Sequence, residues 1–217
     1  LGGGAVRIDK RTGRQRAFNE ENSKLKTVWT NGIQRAPNEW ILIANVEYCA
    51  LINPQNMKVV NLTMPHDQNS FTVSSASVQA LWGKSGLIWQ GSASGLTVYD
   101  RKRGQFKLLD MRSGFHGSSV SAIIEDESGA VWAATDHGIS KVTPKQDADG
   151  QWTFSVRSFN DRDGLQPGPL NQRSMCLTRN GLLLIGGQDG LDVIDTRNLN
   201  AVDRTERPVF SGLQIFD

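Results

Sequence analysis

The chain has 217 residues, 38% hydrophobic and 21% charged, enough to bury a substantial core as one large domain or two small ones. Twenty-four basic against 22 acidic residues leave a formal charge of +2, which gives no reason to expect a nucleic-acid partner. No run of about 18 apolar residues occurs, so no contact of this segment with a membrane is expected.

The chain opens on Leu1-Gly2-Gly3-Gly4, which reads as a cut from the middle of a longer protein. Gly4-Ala5-Val6-Arg7-Ile8-Asp9 reads as a strand, Arg11-Thr12-Gly13 as a turn and residues 15–18 as a closing strand. Residues 27–62 read as four strands at 27–31, 40–44, 49–52 and 57–62, with Tyr48 where a turn glycine would stand. Residues 78–109 and 120–159 each begin with an apolar strand followed by a polar turn. The second of these carries an insertion, residues 145–150, that lengthens its outer hairpin. A last unit spans residues 174–195, and residues 208–216 resume a strand pattern without the repeat. Helical periodicity is absent, and almost no helix is expected.

A repeat links these units. Gly86 to Gly129 and Trp89 to Trp132 are both 43 residues apart. Trp89, Trp132 and Leu184 hold a large apolar position, and two residues on, Gly91, Ala134 and Gly186 hold a small one. A two-residue step keeps both on one strand face, and the small residue allows close approach of a neighbour. Gly95, Gly138 and Gly190 follow where the chain must reverse. Short strands at this period predict an all-β fold of β-propeller blades, each a four-stranded antiparallel repeat. The units are 1–18 (partial), 27–62, 78–109, 120–159 and 174–195. They make a partial propeller of about four blades over residues 1–200, either an open arc that self-associates or a small ring closed by residues 15–18.

Chemistry-bearing motifs are sparse. Trp89 and Trp132 occupy repeat positions and are expected in the core, as are Trp29 and Trp82 in first strands. His66, His116 and His137 lack metal-ligand spacing, and no nucleophile elbow or phosphate loop occurs, so no metal, cofactor or catalytic residue is expected. Asp161-Arg162-Asp163-Gly164 lacks the rest of a calcium loop and reads as a turn. Cys49 falls in a core column and Cys176 in an apolar strand of a different repeat, an arrangement that does not favour a disulfide. The connections at residues 19–26, 63–77, 111–119 and 160–173 are long and polar, and function concentrates in such loops. His116, Asn171 and Arg173 in the last two are the candidate ligand-binding residues, because imidazole, amide and guanidinium groups bind sugar hydroxyls and anions.

The repeat Glu125-Asp126-Glu127-Ser128-Gly129-Ala130-Val131-Trp132-Ala133-Ala134-Thr135-Asp136-His137-Gly138-Ile139 resembles that of the two-component regulator propeller family. Phe159-Asn160-Asp161-Arg162-Asp163-Gly164-Leu165 with residues 181–190 is similar to the family's last blade. Arg207-Pro208-Val209-Phe210-Ser211-Gly212-Leu213 is similar to its entry into an immunoglobulin-like sandwich, of which residues 208–217 would be the first strand. The resemblance implies the periplasmic sensor region of an inner-membrane hybrid two-component histidine kinase that detects glycan-derived oligosaccharides and pairs as a homodimer. A protein-binding scaffold and a propeller lyase remain alternatives on the same fold.

Overall fold

The computed structural model describes residues 4–23, 25, 30–45, 49–62 and 79–199. Trp29, Tyr48, His66 and the strand expected at 208–216 lie outside them. The described residues form five antiparallel sheets in chain order. The first is a hairpin of β1 (Ala5–Ile8) and β2 (Gln15–Phe18), followed by one turn of helix, α1 (Glu20–Ser23). The second holds β3 (Thr30–Arg35), β4 (Ile41–Asn45), β5 (Cys49–Ile52) and β6 (Val59–Leu62). The third holds β7 (Gln79–Trp82), β8 (Ile88–Ser92), β9 (Gly95–Asp100) and β10 (Gln105–Leu109). The fourth holds β11 (Val120–Glu125), β12 (Val131–Thr135), β13 (Gly138–Gln146) and β14 (Trp152–Phe159). The fifth has three strands, β15 (Leu170–Leu177), β16 (Leu182–Gly187) and β17 (Leu191–Asp195). The first strands pack in series, β3 on β7, β7 on β11 and β11 on β15. This is the expected propeller architecture. Among the described residues β2 pairs only with β1, so residues 15–18 do not complete the fifth sheet.

The core lies between sheets. Val131 and Ala133 of β12 join Trp89, Leu96 and Val98 of the preceding sheet in one buried cluster. Trp132 and Ala134 of the same strand join Leu170, Leu183 and Ile185 of the following sheet in another. All five residues of β12 are therefore buried, although its sheet is antiparallel. Leu42 and Ala44 meet Ala80 and Ile88 in the same manner, and Phe18 and Leu25 meet Ile43 and Ala50. The small column is needed for this contact: a Cβ on Gly91 would sit 2.7 Å from Val120 Cγ1 of the next sheet.

The turn glycine has an equally local cause. Gly4, Gly95 and Gly138 have φ of 148°, 129° and 118°, and a Cβ on each would run into the carbonyl oxygen of Phe18, Leu109 or Phe159 on the closing strand. Gly190 keeps the positive φ, 153°, but a Cβ there would meet nothing, because among the described residues the fifth sheet has no closing strand. Leu191 and Val193, whose counterparts in the third sheet are the buried Leu96 and Val98, are 62% and 56% exposed, because among the described residues no following sheet packs on that face.

Hydrogen bonds lock one unit more firmly than the rest. Asp126, six residues before Trp132, accepts from Trp132 Nε1 at 2.8 Å, from Ser128 N and Oγ, and from Ala130 N, with Lys141 Nζ 3.6 Å away. Burial alone would raise the Asp126 pKa, but the Ser128 and Trp132 donors and the Lys141 charge outweigh it and hold the carboxyl below its ordinary value. In the third sheet Gly83 stands six residues before Trp89, closes the same turn through Gly83 N to Leu87 O, and leaves buried Trp89 Nε1 without a partner. Between sheets, the exposed edges of the first strands are bridged by amides: Trp82 N donates to Gln34 Oε1 at 2.8 Å and Ile123 N to Gln79 Oε1 at 3.0 Å. Lys84 adds a further tie, its backbone N–H to Glu125 Oε1 and its Nζ to Asp126 O and Glu127 O.

Two outcomes follow for stability. Trp132→Phe should lower unfolding free energy in urea more than Trp89→Phe does, by about 1–3 kcal/mol, because only Trp132 leaves a buried acceptor behind. Asp126, with its folded pKa depressed, contributes stability that is present above its unfolded value of about 3.9 and is lost as pH falls through the folded value. Asp126→Asn should therefore start less stable at neutral pH and lose less on acidification below about pH 5, checked by thermal melts across that range.

Candidate functional site

The connections that leave the closing strands share one construction. After Leu109, Asp110 caps a 3-10 turn, Met111–Ser113, by accepting from Arg112 N. After Phe159, Asn160 caps Asp161–Asp163 by accepting from Arg162 N, and the Asp163 carboxylate accepts from Asn160 N to complete a capping box. Gly114 and Gly164 end the two turns in the left-handed region, with φ of 100° and 96°. Phe115 then plugs the interface between the third and fourth sheets, and Leu165 packs on the next. Segments read from the sequence as open loops are thus short capped helices with apolar anchors, as is α1 after Phe18.

Between these connections lies a cleft of about 800 Å³. One wall is Phe115 and His116, the opposite wall runs from Asn160 to Arg162 and from Gln166 to Pro169, and the floor is the β12–β13 turn, Asp136 and His137. Asn160 Nδ2 lies 3.3 Å from His116 Nδ1 and ties the walls together. Asp136 Oδ1 accepts from Ser119 N, while Asp136 Oδ2 lies 3.3 Å from His137 Nδ1. This carboxylate comes so close to Gly117 that a Cβ there would be 2.2 Å from Asp136 Oδ1. Gln166 braces the far wall: its N–H and Nε2 donate to the Asp192 carboxylate, and Asp189 N donates to its Oε1. Arg162 is exposed, and its guanidinium makes no hydrogen bond or ion pair among the described residues. The cleft is therefore lined by one guanidinium, two imidazoles and two amides beside two carboxylates, Asp136 and Asp161. Among the described residues no group of three or more His, Cys, Asp or Glu could hold a metal ion.

The three candidates from the sequence are not brought together. His116 lines the cleft, but Asn171 and Arg173 do not. Both belong to β15, which starts at Leu170, four residues before the strand expected from the repeat. The early start was hidden by a bulge: Leu170 faces Gly187 and Met175 faces Ile185, so three extra residues are taken up in β15, against one in β11 between Val120 and Ala122. Asn171 Nδ2 donates to Gly187 O, Ser174 Oγ bonds Asn171 O and Gly186 O, and Arg173 adopts φ of 56° within the bulge. Asn160, Arg162, Asp136 and His137 are the residues that sequence reasoning missed. The signal for the first two was present: Asp110 and Asn160 follow the closing strand in the same register, each four residues before a glycine.

Asn160→Ala removes a cap and a tie between the walls, and should cost about 1 kcal/mol in urea unfolding. Hydrogen exchange should quicken in residues 160–165 ahead of the rest of the fourth and fifth sheets.

No family model matches the chain, and no curated protein matches it. Solved structures do. The extracellular domain of the hybrid two-component system BT4673 of B. thetaiotaomicron superposes with a TM-score of 0.65 over 88% of this chain and 24% of its own, at 18% identity. That of BT3049 from the same organism gives 0.64 over 83% of this chain and 24% of its own, also at 18% identity. PorZ of Porphyromonas gingivalis, a bacterial surface component of the type-IX secretion system, gives 0.57 over 87% and 28%, at 15% identity. The chain spans about a quarter of the length of the two-component domains it matches, and over that span it carries their β-propeller fold.

Proposed function

We propose that this chain is part of the extracytoplasmic sensor region of a hybrid two-component signalling protein, and that its cleft receives a glycan-derived oligosaccharide. The observation that carries the reading is the coincidence of two features. The fold is that of extracellular two-component domains, and its connecting segments build a cleft lined by the exposed Arg162, whose guanidinium makes no hydrogen bond or ion pair among the described residues. Arg162, His116 and His137 suit a fragment bearing uronate or sulfate, and the Asn160 amide suits a hydroxyl. Asn171 is engaged with its own sheet, so the proposal keeps His116 and replaces Asn171 and Arg173 by Asn160 and Arg162.

Signalling requires a ligand with different affinity for two arrangements of the protein. A ligand held between the connection after β10 and the connection after β14 touches both joints of the fourth sheet, so it favours one relative setting of the third, fourth and fifth sheets. In the intact protein that setting would reach the membrane-linked kinase through whatever follows the fifth sheet, and through pairing of two copies.

Calorimetry of the chain against acidic and neutral oligosaccharides tests the reading. Arg162→Ala should weaken an acidic fragment by about 1.5–3 kcal/mol, the range for a hydrogen bond to a charged group. Equal affinity for the parent, Arg162→Ala and His116→Ala would remove the cleft as the site. Absence of binding to every glycan would favour a protein-binding scaffold, and turnover of one would favour a lyase.

A further inference from the structure

The insertion in the fourth unit has no part in the cleft. It lengthens the outer hairpin: β13 has 9 residues and β14 has 8, against 6 and 5 for their counterparts β9 and β10. The three added pairs are Pro144 with Phe154, Lys145 with Thr153 and Gln146 with Trp152. Trp152 and Phe154 alternate onto the face that meets the third sheet, where Phe154 sets its edge on Trp89 with ring centroids 5.7 Å apart. The extension thus overhangs β9 and β10. Arg103, on the turn between those strands, donates through Nη2 to Asp149 O on the turn between β13 and β14, and closes the outer end of the overhang.

Under it runs a groove of about 400 Å³, within the size range of small-ligand sites, roughly 300–1,000 Å³. Its base is Leu87 and Val98, its walls carry Phe154 and half-buried Trp152, and Phe106, whose ring stacks on Tyr99, borders it. Three polar groups line it without a partner among the described residues: the side-chain amides of Gln105 and Gln151, and Asp100 Oδ2. Asp100 Oδ1, by contrast, is fixed by Lys102 N and Arg103 N. Lys107 Nζ stands 5.3 Å from the centre of the Phe154 ring and narrows one side.

We propose that this groove is a second, separate binding site for a neutral saccharide, with a pyranose ring stacked on Trp152 and its hydroxyls bonded by Gln105, Gln151 and Asp100. A pyranose presents a flat C–H face and a rim of hydroxyls that both donate and accept. Aromatic rings beside neutral amides and one carboxylate acceptor complement both parts. A wholly apolar ligand would leave the two amides and the carboxylate unpaired once covered. The site rests on different residues from the cleft, and its success or failure is independent of it.

The test is a titration of the full chain, labelled with nitrogen-15, with cellotetraose and with maltotetraose, following the Trp152 indole N–H resonance assigned through Trp152→Phe. At least one saccharide should shift that resonance to saturation. The double variant Gln105→Ala/Gln151→Ala, whose changes are at exposed positions, should bind roughly tenfold more weakly with unchanged melting. Arg162→Ala in the cleft should leave the titration as it was. A Trp152 resonance unmoved by both saccharides, full affinity in the double glutamine variant, or loss of the shift in Arg162→Ala would each overturn the proposal.

Discussion

Burial of one sheet's face against the next is the interaction on which this molecule depends. A single antiparallel sheet of four short strands has two apolar faces here and can cover neither. Trp132 at 0% exposure and its neighbour Val131, also at 0%, are buried by two different sheets, one on either side. Removing either neighbour would uncover half of the fourth sheet's core. The fifth sheet shows this directly: with nothing among the described residues packed on its far face, Leu191 and Val193 are exposed where their counterparts are sealed. Stability is therefore a sum of contacts between adjacent units, as in other repeat proteins.

The same dependence explains why the polar ties sit where they do. First strands are neighbours without a shared hydrogen-bond ladder, so their edge donors would go unpaired without Gln34 and Gln79. The cleft inherits this rigidity. Its walls are capped turns anchored by Phe115 and Leu165 in the very cores that join the sheets, so the position of His116 and Arg162 follows the packing between blades.

Much of the fold was legible because the repeat columns report geometry that is the same in every unit. The Trp column, the small column and the positive-φ glycine each reflect one contact, with the next sheet or with the closing strand, and all three columns step by 43 residues from the third unit to the fourth. The site was less legible because it is built where the repeat is broken. Asn171 and Arg173 read as loop residues, since a three-residue bulge moved the start of β15 out of phase. Asn160 was read as polar loop composition, although its spacing to Gly164, repeated by Asp110 and Gly114, encodes a cap. Gly83 in place of the Asp126 column leaves Trp89 without its acceptor, a difference that hydrophobic pattern alone does not register.

The cleft between the two capped connections joins the fold to the proposed sensor reading, since a ligand bound there would touch both joints of the fourth sheet at once. A crystal structure of the chain grown with the glycan fragment that binds it most tightly examines that claim most directly. The account predicts density for the fragment between residues 110–119 and 160–169, in contact with Arg162 and His116. A fragment ordered elsewhere on the molecule, with solvent alone in the cleft, would contradict it.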